Sequence, residues 1–312
     1  MKEFKQAGIN RYSIGIQSFD DKVLEWMGRK HSGKDGIKAL QTAQKLFGNV
    51  TYDLIFGIPD QDIKAWESQL DIGLNACDSN NLSIYQLTVE YGTPLHAQSK
   101  FLNIPGGDQM ADMYEMAYNK TKQKGMYRYE VSSYAKGKKY EGIHNKQYWN
   151  GGEYIGVGPG AHGKSVMNDY LVSTECIREP KRWMTQVENQ DIGHGVAKTI
   201  NYSCDSDNEK KEMALKMLVF LGLRTIYGIR ESTFRDTHDL LYKKKNLDAT
   251  HSRNNSLKSF LNSKNVQEYV KIGFLEWRNE EGTREGCSED FSLVPTDKGL
   301  QVIDSILLNI MW

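Results

Sequence analysis

Cysteine and proline are both scarce in this chain of 312 residues, which has four cysteines and six prolines. Cys77, Cys176, Cys204 and Cys287 are at least 28 residues apart, so none of them forms the close pairs of a zinc ribbon, a thioredoxin motif or an iron–sulfur loop. So few and so widely spaced cysteines favour a reducing compartment and a fold that needs no disulfide bonds.

The chain also lacks a net charge and a long apolar run. It has 40 Lys and Arg residues against 40 Asp and Glu residues, and this balance excludes non-specific binding to nucleic acid or to anionic membranes through a global basic field. Its apolar runs are too short for a membrane-spanning helix. We therefore expect a globular protein of about two domains, with no nucleic-acid partner and no membrane span.

The first residues, MKEFKQAG, are polar and lead directly into an apolar segment. They contain no apolar signal-peptide core and are too short for an amphipathic transit peptide. Because a first strand this early is typical of the middle of a domain, we expect an N-terminally truncated sequence in which Met1 is an internal methionine.

The first half of the chain alternates between strand and helix patterns. Runs of β-branched and aromatic residues predict strands at 11–17, 50–56, 82–89 and 127–133. Amphipathic spacing and capping residues predict helices at 21–27, 32–47, 64–74 and 108–124. This alternation is typical of βα units with a parallel sheet, so a barrel and an open doubly wound sheet are both alternatives. In either fold the chemistry lies at the carboxyl ends of the strands.

A change of character near residue 206 indicates a second domain. Helices are predicted there at 208–223, 266–272 and 297–311, with short strands at 274–277 and 291–295. Two strands and a polar loop beside helices are typical of a winged-helix-like module, and the mixed-to-acidic loop favours a structural or protein-contacting role over DNA binding. We predict three segments, namely residues 1–165, a connector at 166–205, and a mainly helical C-terminal domain at 206–312.

The densest polar and aromatic cluster is HNKQYW, residues 144–149, within a predicted loop over 134–164. A neutral imidazole can bind iron while neighbouring aromatic rings pack against a flat macrocycle. The residue types alone favour the alternative, in which the aromatic residues anchor the loop and His144 caps a backbone group.

The segment Gly158–Ser165 formally matches the phosphate-binding pattern GxxxxGKS. No strong strand precedes it and no amphipathic helix follows it, so the context favours a chance match.

Three further polar residues suit a ligand with carboxylate and sugar hydroxyl groups. They are Gln17, Arg29 and Asp53, of which Gln17 and Asp53 belong to predicted strands. Taken separately, each is better explained as an ordinary solvated or structural residue.

Seven segments in one order carry a resemblance to a known family. They are AGINRYSIGIQSFDD, GRKHS, YDLIFGIPDQ, LSIYQLTVEYGTPL, YEVSSYAK, HNKQYW and YIGVGPGAHG. Through them the sequence resembles the coproporphyrinogen oxidase-like branch of the radical S-adenosylmethionine (SAM) superfamily, and in particular its heme-chaperone members. One segment alone is a weak signal, whereas seven in order are specific.

The resemblance implies a fold and a set of ligands. The fold is α/β, a partial radical SAM (βα)6-type barrel made of its last strands, followed by the winged-helix-like C-terminal module. The residues that match SAM contacts of the family are Gln17, Arg29 and Asp53. Those that match its HNxxY heme motif are His144, Asn145 and Tyr148, with His144 the candidate ligand of the heme iron. The resemblance also implies a mitochondrial location and heme-acceptor proteins as partners, and it leaves a homodimer open.

The sequence lacks two features of the family, the CxxxCxxC motif and the glycine-rich strand end that contacts SAM. Family members carry CxxxCxxC, whose three thiolates hold the 4Fe–4S cluster that cleaves SAM, and the motif is absent here. The favoured interpretation is a heme-binding protein of the heme-chaperone type, which delivers heme to acceptor proteins. The alternatives are an oxygen-independent coproporphyrinogen III oxidase-like enzyme, which needs the absent motif, and a non-catalytic interaction protein.

Overall fold

The computed structural model of this chain describes residues 1–167, 170–189, 195–202, 208–242, 255–261, 263–279 and 290–311. The chain divides into two compact units, Met1–Glu141 and Gly142–Trp312. The predicted division into segments 1–165, 166–205 and 206–312 stays a prediction. Among the described residues, no helix has the length and apolar character that a membrane crossing requires.

The first unit consists of five strands and the helices that connect them. The strands are β1 (Tyr12–Gln17), β2 (Val50–Phe56), β3 (Asn81–Gln86), β4 (Tyr127–Arg128) and β5 (Ser133–Ala135). The helices are α1 (Lys2–Gln6), α2 (Asp21–Trp26), α3 (Gly33–Phe47), α4 (Ile63–Ala76), α5 (Pro94–Gln98) and α6 (Gly107–Gln123).

Helix α3 shows how local sequence sets the ends of an element. The Ser32 hydroxyl accepts a hydrogen bond from the Asp35 amide, and the Asp35 carboxylate accepts one from the Ser32 amide, so a capping box begins the helix. Gly48 ends it in the left-handed conformation, with a φ of 69°. The predicted helix start after Ser32 is confirmed.

The five strands form one open sheet in the order β1-β2-β3-β5-β4. Strands β1, β2 and β3 are parallel, whereas β5 runs antiparallel to both β3 and β4. The prediction of one continuous strand over 127–133 is therefore wrong: β4 has the same direction as β1, β2 and β3, but β5 lies between β3 and β4 and runs the opposite way. The run splits into β4 and β5, which form a hairpin, because so short a connection cannot make the crossover that a parallel pair needs. The open sheet agrees with the expected last strands of a barrel.

Helices α3, α4 and α6 cover one face of this sheet. Tyr52, Leu54 and Phe56 of β2 are buried against them. Trp66 of α4 stacks on Phe56 with ring centroids 5.5 Å apart, and its Nε1 donates a hydrogen bond to the Met113 carbonyl at 3.1 Å. Since side chains alternate along a strand, the polar residues between these apolar ones lie on the opposite face.

The described part of the second unit contains two three-stranded antiparallel sheets. In the order β6-β7-β8, the first consists of β6 (His162–Met167), β7 (Tyr170–Cys176) and β8 (Val196–Asn201). In the order β10-β11-β9, the second consists of β9 (Ile229–Arg230), β10 (Leu275–Asn279) and β11 (Phe291–Pro295). The helices are α7 (Ile143–Trp149), α8 (Pro180–Glu188), α9 (Asn208–Gly222), α10 (Glu231–Tyr242), α11 (Leu257–Phe260), α12 (Ser263–Lys271), α13 (Asp297–Gln301) and α14 (Ile303–Met311).

Two sequence predictions for this unit need correction. The final helix is not continuous, because the backbone leaves the helical conformation at Val302, between α13 and α14. The stretch 134–164 is not all loop, since residues 143–149 form α7, which is too short for helical periodicity to be recognised. The strands β10 and β11 are present as predicted, whereas most of the loop between them, residues 280–289, lies outside the described residues.

Candidate functional site

A polar row crosses the sheet of the first unit on the face away from the helices. The strand register pairs Gly15 with Asp53, Asp53 with Ser83, and Ser83 with Ser133. The hydroxyl oxygens of Ser83 and Ser133 are 3.2 Å apart. Because paired positions share a face of the sheet, a carboxylate and two hydroxyl groups lie side by side, next to a position that has no side chain.

Gln17 lies at one end of this row, in an unusual backbone conformation. It has a φ of 70°, at a point where the pairing of β1 with β2 shifts by one residue. Its side chain folds back over Gly15, because a Cβ atom on Gly15 would lie 2.7 Å from Gln17 Nε2. Since Gly15 is paired with Asp53, the structure brings the Gln17 amide and the Asp53 carboxylate to the same part of the sheet.

The electrostatics of the row depend on partial burial. Burial raises the pKa of the Asp53 carboxyl group, while a hydrogen bond from Ser83 and the positive charge of Arg11 oppose that shift. Burial also raises the pKa of the Tyr85 hydroxyl, and the charge of Asp53 adds to that effect. A carboxylate beside hydroxyl donors and acceptors suits a ligand that presents hydroxyl groups of its own, such as a sugar diol.

The amino half of the same face is already filled by protein contacts. Arg11 Nη2 donates to the Thr51 hydroxyl at 2.9 Å. Asn81 Nδ2 donates to the Tyr140 carbonyl at 2.7 Å and lies 3.4 Å from the Tyr129 hydroxyl. A ligand would therefore reach this face at the carboxyl half, where the strands end.

Arg29 is not joined to the polar row by any contact in the described part of the chain. Its side chain is exposed between α2 and α3. Two residues further on, His31 approaches the end of β1, with Nε2 3.2 Å from the Ile16 carbonyl oxygen. The geometry thus places Gln17 near Asp53. Arg29 lies on an exposed segment, which the contact of His31 with Ile16 holds at the end of β1.

The HNxxY residues lie on helix α7 of the second unit. His144 and Tyr148 are four positions apart and therefore share a side of the helix, with ring centroids 4.7 Å apart at 86°. Tyr148 makes a second edge-on contact with Tyr154, at 4.6 Å and 75°. Burial raises the pKa of the Tyr154 hydroxyl, and Tyr148 adds to that shift. We call these three rings the aromatic row; the imidazole at its end is exposed.

Three exposed apolar side chains adjoin the aromatic row in sequence. Ile143 is 80% exposed, Ile155 is 86% exposed and Val157 is 80% exposed, the highest values for large apolar side chains in the described part of this unit. Ile143 precedes His144, and Ile155 follows Tyr154. A flat apolar ligand that covered such side chains would be stabilised by the burial of their surface.

The glycine-rich segment after α7 leads into a strand. Residues 163–165 of the GxxxxGKS match lie within β6, and Tyr154 and Lys164 exchange backbone hydrogen bonds of 2.7 and 2.8 Å. Gly156 has no room for a side chain, because a Cβ atom would lie 2.3 Å from the His162 carbonyl oxygen. A phosphate loop ends in a helix whose amides bind the phosphate, so the prediction of a chance match is confirmed.

The described cysteines do not fit a 4Fe–4S cluster. Cys77 is half-buried, and burial raises the pKa of its thiol. Cys176 is buried on β7, and Cys204 and Cys287 lie outside the described residues. No group of three or more His, Cys, Asp or Glu side chains among the described residues is arranged to hold a metal ion. No described residue is therefore assigned as a ligand of the cluster.

Ser83, Ser133, Tyr85 and Tyr154 belong to these two clusters and were not predicted as site residues. Ser83 and Tyr85 alternate along β3 with the buried Leu82 and Ile84, so the period of two was an available signal for them. Tyr154 had no such signal, because a turn after α7 brings it back to Tyr148.

Comparisons of the sequence and the fold with known proteins define the class of protein. The sequence profile of the Radical SAM superfamily matches residues 1–71. The fold of this chain is similar to that of the solved coproporphyrinogen III oxidase HemN from Escherichia coli. The match covers 98% of this chain and 64% of that chain, with a TM-score of 0.66 and 17% sequence identity. At this identity the likeness shows the fold alone, which is that of a radical SAM protein.

Curated relatives narrow this class to one family. Radical S-adenosyl methionine domain-containing protein 1, mitochondrial, of Dictyostelium discoideum is 31% identical over 330 residues, which cover 100% of this chain and 68% of that protein. The Mus musculus protein of the same name is 35% identical over 317 residues, 99% of this chain and 63% of that protein. The heme chaperone HemW of Bacillus subtilis is 31% identical over 243 residues, 76% of this chain and 60% of that protein. The chain belongs to the radical SAM family that contains these proteins. It spans 63% of the length of its mouse relative.

Proposed function

We propose that this chain is a heme-binding protein of the heme-chaperone type, in which His144 is the axial ligand of the heme iron. The observation that supports this most strongly is the aromatic row with an exposed imidazole at its end. The name of the Bacillus subtilis relative, a heme chaperone, points in the same direction.

The exposure of this site is consistent with carrying heme rather than retaining it. A porphyrin on the aromatic row would cover exposed apolar side chains such as Ile155 and Val157, while His144 supplies the iron ligand. A surface site leaves the second face of the porphyrin accessible, so an acceptor protein could offer its own ligand there. Limited burial also favours fast dissociation, which a delivering protein needs.

Titration with hemin, followed by the Soret band, tests the iron ligand. We expect the His144→Ala variant to bind hemin at least tenfold more weakly and to show a different Soret maximum, because an axial bond is lost. His238→Ala is the matched control, since His238 and Tyr242 are another histidine–tyrosine pair four positions apart on a helix, with centroids 4.7 Å apart. Spectra of His144→Ala that match those of the unsubstituted chain would contradict the proposal.

We further propose that the polar row binds SAM, with Asp53 accepting hydrogen bonds from the ribose hydroxyls and Gln17 beside it. The carboxylate next to a glycine position that the Gln17 amide covers fits such a group, and Arg29 would have to move toward the row to reach the SAM carboxylate. With a 4Fe–4S cluster, bound SAM is the source of a reactive radical, but no residue described here holds that cluster. Calorimetric titration with SAM, comparing Asp53→Asn with Asp60→Asn, tests this site.

A mitochondrial location is proposed from the names of the mouse, cattle and zebrafish relatives. Delivery to acceptor proteins and a homodimer stay predictions. The coproporphyrinogen oxidase alternative is supported by a likeness of fold alone, and an assay of coproporphyrinogen III decarboxylation would distinguish it.

A further inference from the structure

Helix α7 is too short to be stable by itself, so it cannot fix the orientation of the His144 side chain without further contacts. It has seven residues, and isolated helices of fewer than about 12 residues are marginal in water. The orientation of the imidazole therefore depends on the contacts that hold the helix to the rest of the second unit.

One such contact is made by Arg224, which follows α9. Its guanidinium Cζ lies 5.5 Å from the centroid of the Trp149 ring, at the end of α7, and 4.9 Å from that of Phe220 on α9. The same guanidinium forms an ion pair with Asp304 of α14. The Arg224 side chain is 19% exposed, whereas Asp304 is 68% exposed. The contacts of Arg224 with the two rings are therefore partly shielded from water, while the ion pair with Asp304 is close to an ordinary surface pair and contributes less.

A second contact fixes the turn after α7. Gly151, with a φ of 68°, packs against α9 so closely that a Cβ atom would lie 2.5 Å from Leu218 Cδ1. Its carbonyl oxygen accepts a hydrogen bond of 2.9 Å from Lys164 Nζ. Both contacts hold the carboxyl end of α7, whereas Ile143 and His144 at the other end are exposed.

We propose that Arg224 is a positioning residue for the heme site: by clamping Trp149 it sets the orientation of α7, and through Asp304 it makes that orientation depend on the docking of the last helix. This inference rests on the proposed heme function. Arg224 would not touch heme; it acts through the angle at which His144 reaches the iron.

Hemin titration of the full chain tests this with three substitutions. We expect Arg224→Gln to weaken hemin binding about three- to tenfold, as expected for loss of a partly buried cation–aromatic contact, and to lower the fraction of histidine-ligated ferric heme seen by electron paramagnetic resonance. Arg224→Lys keeps a charge for Asp304 but not the planar group, so we expect an intermediate effect. Asp304→Asn keeps the aromatic contacts, and its effect should be the smallest of the three.

The matched control is Arg278→Gln, which breaks an exposed ion pair with Glu276 on β10 and should leave the hemin spectra unchanged. Circular dichroism establishes that each variant is folded; if Arg224→Gln is not, the Arg224→Lys and Asp304→Asn variants decide the outcome.

A double-mutant cycle separates positioning from general stability. If Arg224 acts through His144, the Arg224→Gln substitution should have no further effect in a His144→Ala background. Equal effects in both backgrounds, or spectra like those of Arg278→Gln, would overturn the inference while leaving the heme function intact. If His144→Ala changes neither hemin binding nor the Soret spectrum, the proposed heme function is itself contradicted.

Discussion

Replacement of Gln17 by glycine should make the first unit more stable, although it removes a side chain. Gln17 has a φ of 70°, and a left-handed backbone costs a residue with a Cβ atom about 1–2 kcal/mol. Glycine avoids that cost but loses about 0.5–1 kcal/mol more conformational entropy on folding. The difference is a gain of about 0.5–1 kcal/mol, which corresponds to a roughly two- to fivefold change in the folding equilibrium.

Amide hydrogen exchange in β2 is the suitable assay, because β2 pairs directly with β1 and a single melting temperature would mix the two units. Asp60→Gly is the control. Asp60 has a φ of 62°, but its carboxylate accepts a hydrogen bond from Asn103 at 3.0 Å, so its loss should cancel the gain. We expect Gln17→Gly to slow exchange while weakening SAM binding. Faster exchange would refute the strain argument, and unchanged SAM affinity would refute the assignment of Gln17 to the site.

Two further predictions concern the first unit. Gly33→Ala should lower the free energy of unfolding by about 2–3 kcal/mol, because a Cβ atom there would lie 2.2 Å from the Phe19 carbonyl oxygen. Gly107→Ala also changes the first residue of a helix, but a Cβ atom there would lie in open space, so this variant should keep its stability. Urea denaturation of both variants checks this. Burial raises the folded-state pKa of Asp53, so the wild-type unit loses stability as pH rises from about 3.9, the unfolded value, through the raised folded value. Asp53→Asn should therefore show a stability advantage that is absent below this window and grows through it, and an advantage independent of pH would contradict the assignment.

Local sequence was sufficient for most elements of the first unit. The capping residues of α3 and the apolar run of β2 act over a few positions, so their patterns predicted the observed bounds. The hairpin of β4 and β5 was missed because two- and three-residue strands leave no periodic pattern. Their pairing depends instead on a turn, in which the Ser132 amide donates to the Glu130 carboxylate at 3.0 Å.

The polar row was predictable only in part for a related reason. Gln17 is the last residue of β1, whereas Asp53 lies in the middle of β2 rather than at its end, and parallel pairing of these two strands brings them to the same part of the sheet. The contribution of Ser83 and Ser133 depends on the register of β3 with β5, which requires knowledge of a strand direction that was predicted wrongly. Arg29 lies in an irregular segment, where no periodicity relates a side chain to the sheet.

Helix α7 changes how the HNxxY motif is interpreted. In a loop, the three named residues could all converge on one ligand. On a helix, His144 and Tyr148 share one side, whereas Asn145 is rotated by about 100° from His144 and falls on the same stripe as Trp149. Trp149 is the residue that Arg224 contacts, so Asn145 belongs to the side by which the helix is held. We therefore expect His144 and Tyr148 to contact heme directly, and Asn145 to contribute through the placement of α7.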